Sequence, residues 1–144
     1  MRVDQVGTVP LEDLKVGMSA TLTKTIDAGT VRDFAKVSED RNPIHIDEDA
    51  GRESMFGQTI AHGMLVGSLF SALLGERLPG HGTIYLGQTL RFQAPVPVGA
   101  TVEATVFVSE IAVERKRVTL TCEAKVDGKL VVTGDATVMA PSRA

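Results

Sequence analysis

The sequence has too few cysteines for an internal disulfide: Cys122 stands alone among 144 residues, which suits a reducing compartment. No segment is both apolar enough and long enough to span a bilayer, and the opening MRVDQVGTVP lacks the apolar run of a secretory leader. Positive charge is also scarce. Lys and Arg number 15 against 18 Asp and Glu, a formal net charge of −3, which argues against nucleic acid or an anionic membrane as partner. Internal repeats, low-complexity stretches and interdomain linkers are missing. The expectation is a cytoplasmic protein whose residues 1–144 make one domain.

What is present is an ordinary globular mix, 43% hydrophobic and 23% charged. MSATLTKTI predicts a first strand, Met18 to Ile26. Asp27 or Thr30 caps a helix reaching about Val37. Residues 47–54 form a short exposed helix or turn, with Asp47, Glu48 and Asp49 on a solvated face. From Met64 to Leu74 the chain is apolar almost all round, the mark of a buried helix, and its small residues let other backbone approach closely. The period then changes. TIYLGQTLRFQAPV alternates as a strand until Pro95 and Pro97 end it. TVEATVFVSEI places Val102, Ala104, Val106 and Val108 on one face. In RVTLTCEAKV, Cys122 shares a side with Val118, Leu120 and Ala124, so it reads as a small core hydrophobe, not a nucleophile. Asp127-Gly128 marks a hairpin into KLVVTGDATVMA. One apolar helix followed by antiparallel strands predicts an α+β domain, a curved sheet wrapped around that helix. The uncovered sheet edges point to edge-to-edge dimerisation.

The densest chemistry lies in SEDRNPIHIDED, residues 38–49. Asp40 and His45 flank Asn42-Pro43. Pro43 fixes its own φ and drives Asn42 into extended conformation, which makes a stiff turn able to aim both side chains at one point. Asn42 is expected to tie the loop down by bonding backbone. By itself, the block also fits a capped turn with a solvated acid and a surface histidine.

Three blocks in order carry a resemblance: DRNPIH, then IAHGM, then the YLGQTLRFQAPV strand. From roughly Leu11 to Met139 the chain resembles the MaoC-like branch of the hot-dog fold, the (R)-specific enoyl-CoA hydratases. The family pattern is Asp-x-Asn-Pro-x-His, Ala-His-Gly-Met, and a Tyr-Leu strand ending in Arg-Phe-x-x-Pro-Val. Two positions depart from it. Glu39 stands where Gly is common and Arg41 where an apolar residue is frequent, which bears on substrate preference and not on the reaction.

The resemblance implies hydration of a trans-2-enoyl-CoA to the (R)-3-hydroxyacyl-CoA, reversible as a dehydratase. Such a reaction needs a base for water, an acid for C2 and donors for the thioester oxygen. A positioned Asp40 and His45 suit the proton work. Gly63 stands where the buried helix begins, and the first N–H groups of a helix lack internal partners. The resemblance implies that the Gly63 N–H binds the thioester oxygen. Ser71, Leu74 and Tyr85 are expected to bind the acyl chain beside the buried helix, Leu74 and Tyr85 limiting it to short or medium length, with core packing the alternative for each. His62 is expected to be structural, bonding backbone at the helix start, and His81 to be a loop residue. No cofactor and no metal is expected beyond the coenzyme A carried by the substrate, and a homodimer is expected. Alternatives are a dehydratase acting on acyl carrier protein, and a non-catalytic hot-dog subunit supporting a paired chain. A thioesterase is weaker, because Met64 to Leu74 holds no acid to serve as its carboxylate.

Overall fold

A computed structural model describes all 144 residues. The chain runs through β1 (Ser19–Thr25), α1 (Ala28–Ser38), α2 (Pro43–Ile46), α3 (Glu48–Glu53), α4 (Gly63–Glu76), β2 (Ile84–Gln88), β3 (Arg91–Phe92), β4 (Thr101–Ala112), β5 (Arg117–Val126) and β6 (Lys129–Met139).

Period-two alternation builds the long strands. Val102, Ala104, Val106 and Val108 on β4 are essentially sealed from solvent, as are Val118, Leu120, Cys122 and Ala124 on β5. The Asp127-Gly128 turn takes positive φ at both residues, 51° and 79°, the geometry that matches strand twist in a two-residue hairpin. All strand pairs are antiparallel, in the order β1-β4-β5-β6-β2, with β3 also on β6. Helix α4 packs on β1, β4, β5 and β6. Leu65, Val66, Leu69, Phe70, Leu73 and Leu74 turn inward from it and join a continuous hydrophobic core. This is the α+β hot-dog arrangement, with the sheet packed around one helix.

The structure departs from the sequence reading in three places. The apolar helix is not buried all round: Met64, Ser68, Ser71 and Ala72 form an exposed stripe along it. Small residues leave this side open, and at Gly63 and Gly67 it is the Phe92 and Leu90 side chains, not other backbone, that come close. The strand expected through Ile84 and Phe92 is broken. A register shift falls between Tyr85 and Gly87, and the Thr89 carbonyl presses against Gly134 of β6, where any side chain would collide. Finally, the Asn-Pro turn closes into the helical turn α2. Pro43 takes its first position, where a missing N–H costs nothing, and Asn42 caps it.

Candidate active site

Two loops hang from the ends of helices and meet. Helix α1 starts at Asp27, whose carboxylate accepts the Thr30 N–H at 2.8 Å. It stops at Glu39, which adopts a left-handed conformation, φ 67°. That is why glycine suits this position: only glycine enters the region without a Cβ penalty. The reversal throws Asp40 out of the helix. The Asp40 N–H donates to Ser38 Oγ at 3.1 Å, and its Oδ1 accepts the Asn42 N–H at 3.2 Å. Asn42 is extended, at φ −54° and ψ 124°, and its side chain accepts the Ile44 N–H at 3.3 Å, so it ties the loop to backbone as expected.

His45 sits on α2. Its Nδ1 donates to the Ile60 carbonyl at 2.7 Å, so in the neutral ring Nε2 is the nitrogen left to accept a proton. The segment that supplies this carbonyl continues into α4. Ala61 bonds Val96 and His62 takes the N-cap position, so Gly63 opens the helix. The Gly63 N–H has no hydrogen-bond partner within the protein.

Asp40, His45, His62 and Gly63 share one cavity of about 420 Å³, walled by Phe56, Met64, Phe92 and Val96 among others. A carboxylate oxygen of Asp40 and one ring nitrogen from each of His45 and His62 lie within 4.8 Å of one another. This donor set makes a poor metal centre. The two imidazoles are stacked, 3.9 Å between centroids and 27° between planes. Nearly parallel rings cannot converge their in-plane lone pairs on a single ion.

Ser71 and Tyr85 line a second cavity of about 460 Å³ with Phe34, Leu86, Gln88 and Leu90. Met64 belongs to both cavities and stands between the two sets of walls. The Tyr85 hydroxyl donates to Gln88, and burial pushes the phenol up to about 12, with a smaller contribution from Cys122. It is therefore a proton-bearing donor at neutral pH. Leu74 corrects an expectation. It is only 1% exposed, in the core, and lines neither cavity. Three residues along a helix rotate the side chain by about 60°, which here separates the open face at Ser71 from the sheet-facing side. Cys122 is buried as expected, and that burial pushes its thiol up to about 11, against a smaller opposing effect of the Gln88 amide. It is no nucleophile.

Three neighbours escape the sequence reading. Phe92 lies against Gly63, and Met64 divides the cavities. His62 is 2% exposed and bonds not the helix start but the Asp40 carbonyl, Nε2 to O at 2.9 Å. The alternation of TLRFQ marks Phe92 as one side of a strand, but nothing local shows what it touches. Arg41 is exposed and is not part of either cavity wall.

The model of the MaoC like domain matches residues 12–129. An (R)-specific enoyl-CoA hydratase of Rhodospirillum rubrum is 49% identical over 132 residues, 92% of each chain. A 3-hydroxybutyryl-CoA dehydratase of Methylorubrum extorquens is 45% identical, covering 92% of this chain and 84% of its own. Among solved structures, an unliganded R-hydratase of Pseudomonas aeruginosa superposes with a TM-score of 0.91 at 43% identity, over 96% of this chain and 90% of that one.

Proposed function

Because this chain belongs to the MaoC-like domain family, we propose that it adds water to trans-2-enoyl-CoA to give the (R)-3-hydroxyacyl-CoA, and removes it in reverse. It is a hydro-lyase. The observation that carries the reading is the meeting of Asp40, His45 and the unpartnered Gly63 N–H in one cavity.

Water lies against Asp40 and the bare Nε2 of His45. Its oxygen bonds to C3 and one of its protons passes to the pair. A proton from the pair reaches C2, so the sum is one water added across the double bond. Positioned proton transfer of this kind contributes about 10²–10⁴-fold. The charge gathering on the thioester oxygen is met by the Gly63 N–H at the positive end of α4, and losing one such donor costs about 2.7–4 kcal/mol. Asn42 and Pro43 keep the loop in shape. The acyl chain passes Met64 into the second cavity, beside Ser71 and Tyr85. No metal or cofactor takes part beyond the coenzyme A of the substrate.

The working unit is a homodimer. Support comes from the free edge of β2, where Ile84, Tyr85 and Leu86 are 53%, 41% and 46% exposed beside the second cavity. No helix is long and apolar enough to cross a membrane. The lone thiol supports a cytoplasmic setting.

Loss of the enoyl-thioester absorbance with crotonyl-, hexenoyl- and decenoyl-CoA tests the reading. Turnover of at least one is expected. Turnover of carrier-protein thioesters alone would reassign the substrate handle, and no turnover of either would remove the enzymatic reading.

A further inference from the structure

We propose that His62 is a positioning residue, which holds the acid/base pair in register by clamping the Asp40 backbone with its Nε2–H and backing His45 with its ring. The inference rests on the reading of Asp40 and His45 as the pair.

Asp40 is exposed and its loop is short. Two of its three hydrogen bonds, to Ser38 and Asn42, stay within two residues along the chain. The third, from His62, is its one hydrogen bond to any other part of the molecule, across 22 residues. The same imidazole stacks on His45 at 3.9 Å and meets the Phe34 ring at 4.9 Å. His62 also immediately precedes Gly63. One side chain therefore touches the segment or ring of both proton-transfer groups and stands next to the oxyanion donor.

The ordinary role of a residue at this place would be to cap α4. His62 makes no side-chain cap bond, and its buried Nδ1 has no partner. Asn, Asp or Ser would serve the helix start better. What the imidazole does that those cannot is reach Asp40 and stack on His45. Small errors in placing reacting groups are expensive: about 1 Å of misplacement can cost about 10²-fold in rate.

This separates position from stability. His62→Asn supplies a good cap but is too short to reach Asp40. The gained cap offsets part of the lost ring contacts, so the variant is expected to stay folded with a modest change in melting temperature, while kcat on crotonyl-CoA falls about tenfold or more and KM changes little. His62→Gln presents an amide N–H at the reach of Nε2 and is expected to recover most of kcat. Should His62→Asn not fold, His62→Leu, which fills the space without a donor, carries the same expectation for kcat. Full kcat in the donorless variant, or an equal fall in Asn and Gln variants, would overturn the proposal and leave the hydratase reading intact. A wild type inactive on all three enoyl-CoAs and on carrier-protein thioesters would instead remove that reading, and this inference with it.

Discussion

The ring of Phe92 lies so close to Gly63 that a β-carbon on the glycine would come within 2.5 Å of Phe92 Cε1. Phe92 is half exposed on the short strand β3 and walls the catalytic cavity, so it has room to swing. Gly63→Ala is expected to displace the ring into the cavity and cut activity about tenfold or more, with little change in melting temperature. Phe92→Ala in the same chain should restore part of it. The coupling, read from a double-mutant cycle in kcat/KM, should lie in the ~0.5–3 kcal/mol range of contacting residues. Additive effects would mean that the glycine is needed for another reason.

Glu39→Gly should stabilise the fold. A non-glycine residue in the left-handed region carries a penalty of about 1–2 kcal/mol, partly offset by the greater entropy glycine loses on folding. A gain near 1 kcal/mol is expected in thermal or urea unfolding, with activity retained. A loss of stability would show that the Glu39 side chain makes a contribution its exposed position does not reveal.

Leu74→Ala and a partner substitution, Ser71→Val, divide core from cavity wall. The first should cost ~2–5 kcal/mol of stability and leave the ratio of decenoyl- to crotonyl-CoA turnover unchanged. The second narrows the cavity beside α4. It should lower that ratio by a few-fold, since a methylene is worth only about 0.8 kcal/mol. A changed ratio in Leu74→Ala would return that residue to the acyl pocket.

These residues also show what the sequence can and cannot convey. The strand pattern of Val102 to Val108 is legible because a strand with one face in the core repeats every second residue. Asp27, Asn42 and the Asp127-Gly128 turn are legible because caps and turns are set by neighbours along the chain. The partition of α4 is not. Ser71 and Leu74 differ by a rotation small enough that either reading fits, and only the sheet decides. Nor does anything near His62 point to a partner 22 residues away. The break between β2 and β3 depends on Gly134, a residue of another strand.

The assembly proposal is checked by light scattering at micromolar concentration. A mass near twice the chain's 15.3 kDa is expected. Leu86→Lys, placing charge on the exposed edge of β2, should shift it toward monomer and lower activity together. A wild-type monomer with full activity would contradict the proposed working unit.

The pairing of Asp40 with His45 is tested most directly by kcat on crotonyl-CoA for Asp40→Asn, His45→Gln and the double variant, each first shown to be folded. Either single substitution should reduce kcat about 10²-fold or more, and the double variant should be little worse than the weaker single, because two groups acting on one water fail as a unit. A single variant that keeps more than about a tenth of wild-type kcat would contradict the assignment.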